Sequence, residues 1–260
     1  MTLKNKRAIV CGSTQGIGLA SAKKIALLGA DVCLIARNEE ALNKAKDELD
    51  TQQGQKHYCL VADFTKPEVL KDKVESHIKS WGDVSILVNN TGGPPGGPLT
   101  GASPKDFYMA YDMHLICNHI MMQACIEGMK RTSYGRIINI ISTSVKQPLK
   151  GLGVSNTTRG AVASWSKTLA NELGAFNITV NNVLPGATAT QRLETIISNK
   201  AKKTGKDLED IALEMKEEIP MKRFALPEEI ANVVAFLSSP AASYVNGVSI
   251  PVDGGRTGSI

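Results

Sequence analysis

The chain has 260 residues, 42% of them apolar, 21% charged and 5% aromatic, with 23 glycines and 11 prolines. This is globular composition, which excludes a disordered, collagen-like or disulfide-dense chain, and a chain of this size buries roughly three quarters of its unfolded surface without metals or cross-links. The 30 basic and 25 acidic side chains leave a net charge of +5, and the densest basic stretch, Lys200 to Lys206, runs directly into Asp207, Glu209 and Asp210. That pattern reads as a solvated helix face, so a nucleic-acid partner is not expected.

Short apolar runs alternate with helical patterns along the whole chain. The first run, Ala8–Cys11, leads into Gly12-Ser13-Thr14-Gln15-Gly16-Ile17-Gly18 and then an apolar helix through Leu28. Glycines at such a place allow a tight turn, let backbone N–H groups approach a pyrophosphate, and bring the helix close to the sheet. The same triplet also occurs in turns that bind nothing, but its position in the first strand–turn–helix unit favours the phosphate reading. The second strand, Val32–Ala36, ends in Arg37 and Asn38. An acidic side chain here would accept from a free ribose 2′-hydroxyl, whereas arginine pairs with a 2′-phosphate, so NADP is expected over NAD. An exposed arginine at a strand end is the plainer alternative.

Asn38 caps a helix with Glu39 and Glu40 in its first turn. A third strand, His57–Ala62, precedes a capping box assigned to Thr65 and Glu68. The fourth, Ile86–Asn90, runs into the irregular stretch Thr91-Gly92-Gly93-Pro94-Pro95-Gly96-Gly97-Pro98, after which Ser103 and Pro104 start a helix. Further strands are expected at Ile137–Ile141, Thr179–Leu184 and Val248–Val252. Val162, Trp165, Leu169 and Leu173 share one helical face, as do Ile230, Val233, Val234 and Leu237. Gln191 to Phe224 is polar and helical, with Leu208, Ile211 and Met215 at amphipathic spacing, and is expected to be a mobile lid with an apolar wall.

This alternation predicts an α/β fold: one doubly wound domain over residues 1–260, with a seven-stranded, mostly parallel sheet covered by helices on both faces. Loops at the carboxyl ends of such strands form the ligand crevice. Cys11, Cys33, Cys59, Cys117 and Cys125 form no CxxC pair and are expected to be buried thiols in a reducing compartment. No apolar run reaches the ~18 residues of a membrane span, and Met1 to Arg7 lead into the first strand without a signal-peptide core. A soluble, cytoplasmic protein without a membrane partner is the expectation.

The residues that follow carry a family resemblance. Gly12, Gly16 and Gly18, then Ala62-Asp63-Phe64, Asn89-Asn90-Thr91-Gly92, Gly135 through Ser142, Pro185-Gly186 leading to Thr190, Arg223-Phe224, Pro227 through Ala231, and Pro251 through Gly255 occur in one order along nearly the whole chain. In these segments the sequence resembles the short-chain dehydrogenase/reductase family, particularly the bacterial 3-oxoacyl-(acyl-carrier-protein) reductases. The resemblance implies a Rossmann domain whose loop from Gly12 to Gly18, including Ser13, Thr14, Gln15, Gly16 and Ile17, binds a nicotinamide dinucleotide with Arg37. It also implies that Asp63 and Phe64 meet the adenine, that Asn90, Thr91 and Gly92 flank the ribose, and that Pro185, Gly186 and Thr188 hold the carboxamide with Thr190 near the phosphates. A homotetramer or dimer and a small carbonyl or alcohol substrate are further implications.

The catalytic positions depart from the family pattern, which carries asparagine, serine and Tyr-x-x-x-Lys. The serine is Ser142, but the family's tyrosine position falls on Ser155, its lysine on Arg159 and its asparagine on His114. The resemblance thus implies a divergent subgroup lacking Tyr-x-x-x-Lys. Arg159 keeps the charge and can fork onto ribose hydroxyls, but it stays protonated. Ser155 is shorter than tyrosine and far less acidic. His114, with a reference pKa near 6.5, is the one group at these positions able to give a proton near neutrality, directly or through water. It is equally readable as a hydrogen-bonded core histidine. His114, Cys117 and His119 lack metal-ligand spacing, so no metal is expected; Ser155 lacks a nucleophile elbow; Tyr108 and Tyr111 are expected to pack at the surface. Three functions stay open: a divergent NADP-dependent oxidoreductase acting on a carbonyl/alcohol pair, a nicotinamide-binding pseudoenzyme, and a non-redox enzyme such as a dehydratase in the same pocket.

Overall fold

Seven strands, β1 (Arg7–Cys11), β2 (Asp31–Ala36), β3 (Tyr58–Val61), β4 (Ile86–Asn89), β5 (Gly135–Ile140), β6 (Ile178–Pro185) and β7 (Ser249–Val252), form one sheet in the order β3-β2-β1-β4-β5-β6-β7. The computed structural model describes residues 1–259. All neighbouring strand pairs are parallel. The order reverses direction between β1 and β4, and a crevice opens at such a switch, beyond the carboxyl ends of the strands.

The crossovers are helical: α1 (Gly16–Leu27), α2 (Glu39–Asp47), α3 (Pro67–Trp81), α4 (Pro104–Tyr111), α5 (Cys117–Arg131), α6 (Gly153–Leu173), α7 (Gln191–Thr204), α8 (Leu208–Glu217) and α9 (Pro227–Ser238). Side chains alternate along each strand, so the sheet needs two cores. Ile9 and Cys11 of β1 pack with Leu70, Met121 and Leu169 of α3, α5 and α6. Ala8 and Val10 pack on the other face with Ile25, Leu42 and Ile230 of α1, α2 and α9.

Local signals hold where the chain has one way to satisfy its backbone. Asn38 Oδ1 accepts from Ala41 N at 2.9 Å and starts α2. Ser103 and Asp106 form a reciprocal capping box at α4. The box expected at Thr65 and Glu68 does not form. Pro67 begins α3, because a fixed φ and a missing N–H suit the first helical position, and Thr65 N donates to Asp63 Oδ1 at 3.0 Å. β3 is shorter than expected, since the His57 ring lies 2.9 Å from the Asp50 carbonyl and accepts from Val32 N at 3.2 Å. Cys11, Cys33, Cys117 and Cys125 are buried, whereas Cys59 is half-buried. No helix among the described residues is long and apolar enough to cross a membrane.

A buried polar ladder crosses the sheet beneath the crevice. Asn89, Asn139, Asn182 and Ser249 stand in register on β4 to β7. Asn89 Nδ2 donates to Asn139 Oδ1 at 2.8 Å, and Asn182 Nδ2 donates to Ser249 Oγ at 3.1 Å. Asn139 Nδ2 donates to Ser166 Oγ at 2.9 Å and to Asn182 Oδ1 at 3.2 Å, which ties α6 to the strands. Replacing Asn139 by Leu strands several buried partners at once, so urea denaturation should show a loss of about 2–4 kcal/mol.

Candidate functional site

A cavity of about 550 Å³ lies along the carboxyl ends of the strands, a volume typical of small-ligand sites. Its floor begins at the glycine loop. Gly12 has φ 57°, and a side chain there would start 2.4 Å from the Asn90 carbonyl oxygen. One on Gly18 would start 2.1 Å from the Gly12 carbonyl oxygen. Asn90 Nδ2 donates to the carbonyls of Cys11 and Gly12, at 3.3 and 3.1 Å, and clamps the loop to the end of β4. α1 has no side-chain cap and no acid in its first turn, and its residues Gly16 and Ile17 line the cavity. Its first N–H groups and its dipole therefore fit an anion such as a diphosphate.

Most residues expected at the site meet in this cavity. Gly12, Thr14, Gln15, Gly16, Ile17, Arg37, Asp63, Phe64, Asn90, Thr91 and Gly92 line one part. Ser142, Ser155, Arg159, Pro185, Gly186, Thr188 and Thr190 line the rest. Asp63 is held below the usual carboxylate range, chiefly by the Thr65 backbone N–H and further by Arg37. Ser142 Oγ accepts from Ser144 N at 3.1 Å, leaving its own proton for a ligand.

Three expected residues stand elsewhere. Ser13 is fully buried, where Oγ accepts from Ile35 N at 3.0 Å and anchors the loop to β2 instead of touching a ligand. Gly18 serves the close approach of α1 and does not line the cavity. His114 lies on a π-helical turn, Asp112–Ile116, that presents Met113 to the cavity and buries the imidazole behind it. Its Nδ1 is 2.6 Å from Thr91 Oγ1, and its Nε2 is buried without a partner. Burial, reinforced by the Arg159 charge, pushes its pKa down to about 2. The ring is therefore neutral at physiological pH, and the expectation that it gives a proton directly to substrate is corrected: its reach ends at the Thr91 hydroxyl.

Arg159 is buried too, donating from Nη1 to the Ile140 carbonyl at 3.1 Å. Burial, with the nearby Arg192, lowers its pKa to about 10, so it remains a cation. Among the described residues no tyrosine, lysine, histidine or cysteine lines the cavity. Tyr108 is 71% exposed and Tyr111 is half-buried. Cys117 Sγ donates to the Phe64 carbonyl and His119 accepts from Trp165 Nε1, and among the described residues no three such groups gather where a metal could bind. Of the expected lid, α7 reaches the cavity through Gln191, Arg192, Leu193 and Ile196. Within α8, Ile211 is buried, Met215 half-buried and Leu208 exposed, and none of them forms the apolar wall. Arg192 went unrecognised in the sequence, although a cation in the first turn of a helix opposes the dipole and was a usable signal.

A family model described as enoyl-(acyl carrier protein) reductase matches residues 12–257. Gluconate 5-dehydrogenase of Gluconobacter oxydans is 31% identical over 259 residues, covering 100% of this chain and 97% of the relative. The 3-oxoacyl-(acyl-carrier-protein) reductase of Aquifex aeolicus is 32% identical over 253 residues, covering 97% and 98%. The solved structure of L-sorbose reductase from Gluconobacter frateurii, complexed with NADPH and L-sorbose, superposes with a TM-score of 0.93 at 32% identity, covering 100% of this chain and 99% of that one. A solved short chain dehydrogenase/reductase family protein, 32% identical, gives a TM-score of 0.82 over 98% and 99%. The chain belongs to the short-chain dehydrogenase/reductase family, a family of oxidoreductases.

The buried imidazole makes stability depend on pH. An unfolded His114 takes up a proton below pH 6.5, while the folded one resists down to about 2, so the folded state binds fewer protons and loses stability as pH falls. Relative to His114→Gln, the wild-type protein should lose about 1.4 kcal/mol per pH unit below 6.5, measured by urea denaturation from about pH 7 to about pH 5.

Proposed function

We propose that this protein is an NADP(H)-dependent oxidoreductase of a divergent subgroup, acting on a small carbonyl/alcohol pair, in which Ser155 and Arg159 stand where the family carries Tyr-x-x-x-Lys. The observation that carries the cofactor reading is the uncapped N-terminus of α1 beside a glycine whose side chain would strike Asn90, which leaves backbone N–H groups open to a diphosphate. Arg37 supports a preference for the 2′-phosphate: it lines the cavity, Asn38 beside it is used as the α2 cap, and Glu39 and Glu40 lie outside the lining. The similar L-sorbose reductase was solved with NADPH. The same reading takes the helical stretch 191–224 as a substrate lid closed by α7, and includes a cytoplasmic location and assembly as a homotetramer or dimer.

A bound nicotinamide would supply the hydride for the carbonyl carbon or take it from the alcohol. The chain's own task is to position the carbonyl and hydrogen-bond its oxygen, while the proton itself comes from solvent water, since serine and threonine hydroxyls are too weakly acidic to give one up. Ser142, whose hydroxyl proton is free, donates to that oxygen. Of the two neutral imidazole tautomers, protonation at Nδ1 leaves Nε2 as a bare lone pair, which costs less than an orphaned N–H, and makes Thr91 Oγ1 the acceptor. The Thr91 proton is then free for the cavity, and His114 is a positioning residue. Ser155 adds a second hydroxyl, and Arg159 offers its charge to the developing alkoxide or to ribose hydroxyls.

The absence of a tyrosine from the lining favours a second reading, a nicotinamide-binding pseudoenzyme or a non-redox enzyme such as a dehydratase. Titration with NADPH and NADH, followed by a carbonyl and alcohol panel read at the nicotinamide absorbance, separates the cases. Tight NADPH binding, with Arg37→Ala weakening NADPH by roughly tenfold and NADH little, is expected. Binding without turnover on any substrate selects the second reading, and no affinity for either coenzyme ends both nicotinamide readings. Because no histidine or cysteine among the described residues lines the cavity, kcat should stay level from about pH 6 to about pH 8. A break near 6.5 would return the acid role to His114.

A further inference from the structure

We infer that Arg159 and Arg192 form a seat for the carboxylate of an anionic substrate, so that the molecules processed here are carbonyl or hydroxy acids. This inference deepens the nicotinamide reading and takes its reacting carbonyl from it. The two guanidiniums converge from different elements. Arg159 comes from the second turn of α6, one turn beyond Ser155, and Arg192 from the first turn of α7. Their Nη2 atoms stand 3.9 and 3.6 Å from the point where a side chain on Gly93 would begin, and Gly93 has none. The space between the two cations is therefore kept open.

Neither arginine is neutralised. Among the described residues no carboxylate lies within ion-pair distance of either. Asp63, the one acid in the lining among the described residues, is influenced by Arg37 instead. Arg159 is only 8% exposed, and one of its five N–H donors is used within the protein, on the Ile140 carbonyl. Arg192 is exposed, and it donates from Nη2 to the Pro94 carbonyl at 3.1 Å, so the burial cost falls on Arg159. A buried guanidinium without a counter-ion is costly, and the fork geometry matches a carboxylate. The cofactor's diphosphate already has a place at the N-terminus of α1, where Thr190 Cγ2 comes within 3.1 Å of the position a Gly16 side chain would take. The two arginines approach instead beside Gly93 in the loop after β4, and they line the same cavity as Ser142 and Ser155.

The test uses the full chain, with pyruvate, acetoacetate and levulinate each compared with its methyl ester. Binding is measured by calorimetry with and without saturating NADP+, in a buffer free of carboxylate and phosphate, and turnover is followed with NADPH. At least one acid should bind roughly ten- to hundredfold more tightly than its ester. Arg192→Gln should bring that acid down to the level of its ester while leaving the ester and NADPH affinities unchanged, and Arg192→Lys should recover part of the difference. If no acid exceeds its ester, or if Arg192→Gln weakens NADPH as much as the acid, the seat is refuted. A protein that prefers the acids but has no affinity for either coenzyme keeps the seat and overturns the nicotinamide reading; one that binds NADPH but treats acids and esters alike does the reverse.

Discussion

The clamp between the Gly12 loop and Asn90 is the contact on which the rest of the site depends. A parallel sheet delivers all its carboxyl ends to one edge, but an opening forms only where neighbouring connections part to opposite faces, here between β1 and β4. Asn90 holds the two strand ends together there by donating to Cys11 and Gly12. The approach is so close that only glycine fits at position 12. From that point α1 is aimed into the crevice, Thr91 follows on the opposite wall, and the floor beneath is stiffened by the ladder through Asn139.

Removal from water gives the inner end of the cavity its character. The same burial that holds His114 neutral also lowers the Arg159 pKa, and the two effects act on neighbours, since the Arg159 charge further disfavours an imidazolium. The arginine nevertheless stays charged and the histidine stays neutral. Ser142, Ser155 and Thr91 thus bring hydroxyl groups to the cavity, and Arg159 and Arg192 bring guanidinium groups. The family relationship establishes the scaffold, while the chemistry performed on it follows from these side chains.

Much of this was legible in the chain. The strands appear within one or two residues of their apolar runs, because a strand covered on both faces must be apolar almost throughout. The caps at Asn38 and Ser103 were readable, since each needs only a few adjacent residues. The Thr65 box failed because Pro67 offered a competing start to α3. Ser13 and His114 looked like ligand groups in the linear text, yet both turn inward to bond with Ile35 and Thr91, and no local pattern specifies the direction of a side chain at a loop or on a π-helical turn. Arg192 was overlooked for the opposite reason: its neighbours in sequence belong to a solvated helix, and its neighbours in space come from the loop after β4.

Sequence by itself determined the doubly wound architecture, the glycine approach and most of the residues ringing the crevice, because each follows from periodicity, backbone sterics or strand ends that parallel topology must gather. Tertiary structure alone decided that His114 is sealed behind Thr91 and that Arg159 meets Arg192 across Gly93. Those outcomes depend on burial and on distances between segments far apart in the chain, and both the charge state of a side chain and its partners are set by the dielectric and the groups that folding brings around it.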